Sequence, residues 1–251
     1  MSTTASTTAN TTASYDTFVE ICRNRRTSRE FDPAVPVPRA HFDLILEAAR
    51  HGPSGANAQP WHYIVVTRPE TKKALADYFI AESSRRAKLG MKFPTPNYRG
   101  LATAPGLIVV VADFRFINAF PVLNDGSELD KLYRQNAERI LLQSVAASTM
   151  SAHLAAAALG YGVWWVTAIG QEDAQAELKP LLGVPGDLAI IDIIVFGKPL
   201  KPPYKRWKKT LDDIRSFDTY NPAAYMDQAA IERWIKETRH KVMYRDEAKI
   251  D

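Results

Sequence analysis

Apolar positions recur along this chain with two different periods, and the change from one to the other marks its elements. Phe42, Ile45, Leu46 and Ala49 stand at i, i+3, i+4 and i+7, the stripe of a helix that stops near Gly52. Residues 15–24 predict an earlier helix, which delivers the chain to an arginine-rich turn. Pro33, Pro36 and Pro38 forbid regular structure between the two. Residues 61–67 read as a strand. Thr67 and Glu70 have capping-box spacing with Pro69 in the first turn, so a helix runs from about 69 towards 89. After a long loop, 107–112 form a buried strand. Residues 129–159 form the longest helix, closed by Gly160, and its Ala-rich half, 146–158, permits close packing.

Residues 163–168 and 188–196 supply two more strands, with a short helix over 173–182 between them. Both strands are apolar almost throughout, although Asp192 interrupts the second. Such strands belong to a sheet covered by helices on both faces, not to one with a wet side. Residues 1–14 are nearly all Ser, Thr and Ala and are expected to form a disordered tail, with too little apolar surface to offset the entropy of ordering. This stretch has neither the apolar run of a secretory leader nor the arginines of a transit peptide. From Pro199 onward the chain is richer in Lys, Tyr and Pro, with one amphipathic helix carrying Ile231, Trp234 and Ile235. An arm so poor in apolar residues docks on something, and a partner subunit is the simplest candidate. The chain shows no internal repeat.

The 251 residues are 46% hydrophobic and 24% charged, which fits one large globular domain. Lys+Arg 32 against Asp+Glu 28 leaves +4, an excess that suits a small polyanion better than a long one. The single Cys22 leaves no intrachain disulfide and no thiolate set for zinc or iron–sulfur ligation, so a reducing cytoplasmic setting is expected. The longest apolar runs stop well short of the roughly 20 residues that span a bilayer, so no membrane partner is expected. The histidines, His41, His51, His62, His153 and His240, show no metal spacing, and each is expected at the surface or satisfied in the core.

Four segments carry candidate chemistry. Residues 23–29 hold Arg23, Arg25, Arg26 and Arg29 with the hydroxyls of Thr27 and Ser28 and no acid. Guanidinium forks beside hydroxyls suit a phosphate, although a short basic run is as a rule only a solvated turn. In 51–61 a helix ends in small turn-forming residues before Trp61, a loop whose Gly55 and Ala56 let backbone amides approach a flat ligand. An ordinary helix-to-strand connection reads the same way. Ser54 is no nucleophile elbow, since that motif needs Gly where Ala56 stands. The third, 160–168, precedes a strand and lacks the last glycine of a dinucleotide fingerprint. The fourth, 197–209, is a second basic cluster, by itself a solvated loop.

In this order and spacing the four segments resemble the nitroreductase family over residues 18–214. Residues 25–31, Arg-Arg-Thr-Ser-Arg-Glu-Phe, resemble the family's R-R-S-x-R-x-F, and 53–61 are similar to its P-S-G-x-N-x-Q-P-W. The resemblance implies an α+β fold: a central mixed, mostly antiparallel sheet flanked by helices, within a domain spanning 15–216. A C-terminal extension, 217–251, would be exchanged across a homodimer. It implies FMN as cofactor, NAD(P)H as co-substrate and a small electron-poor acceptor, with no nucleic acid. Arg25, Arg26 and Thr27 would hold the phosphate and ribityl end of FMN. Arg29 would approach the N1/O2 edge, where a cation stabilises the reduced flavin. Pro53, Ser54, Gly55 and Asn57 would come from the other subunit, Trp165, Val166, Thr167 and Ala168 would run along the N5 side, and Arg206 with Lys208 would close the phosphate site. Lys208 stands where the family has a second arginine, and Lys205 is a substitute.

Acceptor choice is expected in 83–105 and 114–126, where Phe93, Tyr98, Phe114, Phe116 and Phe120 are candidates to stack on an aromatic, although such residues more often pack against a helix. A flavin-consuming, oxidase or dehalogenase branch of the same fold is the alternative, and a basic nucleic-acid-binding domain is the non-enzyme rival. Against the last, no helix carries a continuous basic face.

Overall fold

The computed structural model describes residues 4–91, 98–169, 172–201 and 208–239. The chain divides into two compact units, Met1–Pro203 and Tyr204–Asp251. The first unit contains α1 (Thr4–Asn24), α2 (Arg39–Arg50), β1 (Trp61–Val65), α3 (Pro69–Lys88), α4 (Arg99–Thr103), β2 (Gly106–Ala112), α5 (Glu128–Ala158), β3 (Gly162–Val166), α6 (Glu172–Leu182) and β4 (Ala189–Gly197). The strands form one sheet in the order β1-β2-β4-β3, every neighbour antiparallel. The parallel component of the expected mixed sheet reduces to an isolated bridge, Thr27 to Val163.

The expected double cover is present. Leu107, Val109, Val111, Trp164, Val166 and Val195 face one way and pack with Leu75 and Phe79 of α3, Leu101 of α4 and Leu178 of α6. Ile108, Val110, Val163, Ile194 and Phe196 face the other way, onto Phe42 and Ile45 of α2 and Val145, Ala152 and Ala156 of α5. Alternate residues of one strand thus serve two separate cores, which is why these strands are apolar at almost every position. A bulge interrupts the central pairing: Val110 lies opposite Asp192 but Val111 lies opposite Ile190.

Helix ends follow local chemistry. Ser127 caps α5 by accepting from Asp130 N at 3.1 Å, and Gly160 follows its end at φ +83°. Gly52 is required by packing, because a Cβ there would lie 2.8 Å from Ser148 Cα. By length and composition α5 could cross a membrane. It is instead the seam of the second core, with Leu141, Val145, Ala152 and Ala156 fully buried.

Two expectations need correcting. The Thr67–Glu70 capping box does not form: Arg68 occupies the N-cap and makes no side-chain cap bond. The sequence 4–14, expected to be disordered, continues α1 back to Thr4. Extending a helix already nucleated costs far less than starting one, and alanines within the tail favour it. The second unit contains α7 (Gln228–Arg233), capped by Asp227, which runs into a π-helical turn over Trp234–Arg239.

A candidate anion and cofactor site on the open edge of β3

β3 is a terminal strand of the sheet, and the arginine-rich segment lies along its free side. Ser28 N donates to Val163 O at 2.9 Å, and Val163 N donates to Arg26 O at 3.3 Å. Gly162 is a necessity here, since a Cβ would meet Ser28 Oγ at 2.6 Å. This pairing holds Arg25, Arg26 and Thr27 half-buried at the strand's edge. Burial, and then the neighbouring Arg26 charge, push the Arg25 guanidinium below the ordinary arginine range. No ion pair between described residues engages Arg25 or Arg26. Two crowded, partly desolvated cations are relieved by a bound anion, and with the Thr27 hydroxyl beside them they match the chemistry of a phosphate.

The backbone beyond this point stays open. Val163 directs its N–H and C=O to the outer edge, so Trp165, two residues on, directs its own the same way. β3 stops at Val166, Thr167 is exposed and Ala168 half-buried. The segment 165–168 therefore presents edge amides to a flat partner. The Arg29 guanidinium sits over the Trp164 ring, 5.7 Å from its centroid.

The loop over 53–60 lies at the opposite edge of the sheet, because it leads into β1. β1 and β3 are three strand spacings apart, roughly 14 Å. Within one chain the loop and the arginines therefore do not meet. The loop is strained: Ala56, Asn57 and Gln59 have φ of 51°, 50° and 46°, the left-handed region. Each such residue costs on the order of 1 kcal/mol, and such strain clusters at functional sites. The loop is held by Gly55 N donating to Ser144 Oγ at 3.1 Å and by Gln59 N donating to Ser54 Oγ at 3.2 Å. Packing requires a glycine at 55, since a Cβ there would lie 2.2 Å from Ile140 Cγ2 and 3.1 Å from the Phe120 ring. Pro53 and Asn57 remain exposed.

The aromatic candidates separate. Tyr98 is 8% exposed and stacks between Phe79, 4.9 Å away, and Trp164, 5.5 Å away. Both its faces are covered, which removes it from the acceptor candidates. Phe114 and Phe120 pack half-buried against Leu141 and its neighbours, whereas Phe116 is 43% exposed. The loop preceding α5 is anchored by buried Asp130, which accepts from Leu123 N at 3.0 Å and Asn124 N at 2.9 Å. Phe93, Lys205 and Arg206 lie outside the described residues, and Lys208, in the second unit, is exposed.

Sequence reasoning missed one cluster. His153, expected on the surface or satisfied in the core, is 1% exposed, yet neither ring nitrogen has a hydrogen-bond partner among the described residues. Its ring lies 5.3 Å from that of Trp165. The Trp165 Nε1–H is likewise buried without a bond of proper geometry. Asp192, 4% exposed, accepts from Thr149 Oγ1 at 3.2 Å. Burial pushes its carboxyl above the ordinary range, against the pull of Trp165 and Thr149. Burial, assisted by the Arg25 charge, drives His153 down to about 3. The Asp192 interruption of an apolar strand was the visible signal; its partners lie far away in the chain.

An antiparallel sheet between two helical layers, with a half-buried arginine pair at one edge, is an α+β architecture. The particular family follows from comparison. Residues 22–198 match the model of the nitroreductase family, and the chain belongs to that family. It is 31% identical over 121 residues to YdgI of Bacillus subtilis, named an NAD(P)H nitroreductase, a stretch covering 48% of this chain and 46% of YdgI. It is 28% identical over 211 residues to iodotyrosine deiodinase 1 of Rattus norvegicus, covering 78% of this chain and 68% of that one. The solved structure of an FMN-dependent nitroreductase from Clostridium difficile R20291 superposes with a TM-score of 0.59 at 20% identity, covering 80% of this chain and 99% of that one.

Proposed function

We propose that this chain is an FMN-dependent oxidoreductase that passes a hydride from NAD(P)H, by way of FMN, to an electron-poor small molecule such as a nitroaromatic, quinone, enone or halophenol, in a ping-pong sequence. The observation that carries the reading is the half-buried Arg25–Arg26 pair along the outer edge of β3. FMN, when bound, supplies the two-electron chemistry, so the chain has no need of a general acid–base pair. Arg25, Arg26 and Thr27 would hold the phosphate and ribityl chain. Arg29 would set positive charge at the N1/O2 edge, and the 165–168 backbone would donate along the N5 side. Arg206 with Lys208 or Lys205 would close the phosphate end.

The reading extends to a homodimer. Pro53, Ser54, Gly55 and Asn57 lie on the sheet edge away from the arginines, so they would serve the site of a second copy. Leu132, Leu142 and Met150 of α5 are exposed apolar residues of the kind a second copy covers. In the second unit Leu211, Phe217, Tyr220 and Tyr225 are all at least 65% exposed, which fits an arm that docks on a partner.

Purified protein is expected to carry a yellow flavin spectrum or to acquire it with added FMN. Under anaerobic conditions NADH or NADPH should bleach it, and a nitroaromatic should restore it. Arg25→Ala is expected to weaken FMN binding roughly 100-fold, the worth of a lost charge-assisted phosphate contact. Protein that stays colourless with excess FMN overturns the proposal.

A further inference from the structure

Thr149, His153, Trp165 and Asp192 form a polar cluster in the seam between α5 and the sheet. Its neighbours in that seam are Val145, Ala152, Ala156, Ile194 and Phe196. Buried polar atoms without partners are costly, and here both His153 nitrogens and the Trp165 Nε1–H share one place. A leucine at 153 would fill the same volume with no such penalty. The cluster lies directly behind the backbone that the flavin reading assigns to the cofactor.

We propose that His153 is a positioning residue, which holds the 165–168 backbone at the angle its amides need to meet the flavin by packing against the Trp165 indole from inside the fold. The inference rests on the flavin reading above. Burial rules out direct contact with a ligand at the edge, so His153 acts through what it touches. That is Trp165, whose main chain faces the open edge while its ring approaches His153. Asp192 stands on β4 at the strand position opposite Val110 where the ladder bulges, and it accepts from Thr149 of α5. A ligand pose fixed by backbone amides is sensitive to displacements well under 1 Å, which makes the support behind those amides part of the binding site.

The test uses full-length protein loaded with FMN, in three forms: wild type, His153→Leu and Trp165→Phe. Thermal unfolding, the FMN dissociation constant and the visible circular dichroism of the bound flavin are measured on each. His153→Leu is expected to unfold at the same or a higher temperature, yet to bind FMN about tenfold more weakly with an altered dichroic band. Trp165→Phe should move both flavin readouts the same way, and it carries the test should His153→Leu not fold. Variants that bind FMN within twofold of wild type, with an unchanged dichroic band, overturn the positioning role while leaving the flavin reading standing. Wild-type protein that binds no FMN overturns both.

Discussion

The two faces of the sheet are built on different terms. On the side of α3, α4 and α6 the buried charges are paired: the Lys72 ammonium donates to Ala104 O at 2.8 Å and Pro105 O at 3.1 Å, and Glu82 binds Arg85 and Arg86 at 2.7 Å each, although the Tyr78 hydroxyl has no partner among the described residues. Between them runs a dry stack of Phe79, Tyr98 and Trp164. On the side of α5 the seam contains Ser144, Ser148, Thr149, His153 and Asp192, and part of that set has no partner. One face buries charge only where it is paired. The other accepts polar groups at a cost, and it is the one that backs the strained loop and the arginine-lined edge.

The largest effect expected from this contrast is on the dry face. Phe79→Ala removes a fully buried ring and should cost about 3–5 kcal/mol in chemical denaturation. A loss under about 1 kcal/mol would show that this layer is not the stabilising one.

Acid should act on the opposite face. His153 in the fold stays neutral down to about 3, whereas in the unfolded chain it takes up a proton near 6.5. Its contribution to stability is therefore complete above pH 6.5 and is lost as pH falls towards 3. Between pH 6.5 and 4 wild type should lose about 3 kcal/mol more than His153→Leu, at roughly 1.4 kcal/mol per pH unit. Parallel pH profiles for the two proteins would place the sensitivity elsewhere.

The smallest effect concerns the loop. Ser144→Ala leaves Gly55 N without its acceptor and should cost about 1 kcal/mol. Hydrogen exchange at Gly55 and Ala58 should quicken with little change in the rest of the protein. Unchanged exchange would mean that the left-handed turns hold without α5.

Much of this architecture was legible from the chain because each strand and long helix reports its own burial. The run 107–111 is apolar at every position since both its faces are covered, and the stripe from Phe42 to Ala49 marks the side of α2 that meets α5. The arginine segment and the 53–60 loop were legible as motifs, but their placement on opposite sheet edges was not, for strand order is a property of pairing. Tyr98 was left open between ligand and core because an aromatic in a loop looks the same whether it greets a ligand or, as here, slots between Phe79 and Trp164. His153 was misjudged because nothing local distinguishes a satisfied core histidine from one facing Trp165 and an apolar seam. The start of α1 was missed because a run of Ala, Ser and Thr carries no periodic apolar signal.

The separation of loop and arginines by the width of the sheet has a genetic corollary. In a symmetric pair each chain would lend its loop to one site and its arginines to the other, so every site is a joint product. Two alleles, one crippled at Arg25 and one at Asn57, would each be inactive when expressed alone. Expressed together, about half of the dimers would be mixed, and each mixed dimer would gather both lesions into one site and leave the other whole. Defects that complement in trans are the signature such a geometry leaves in a cell.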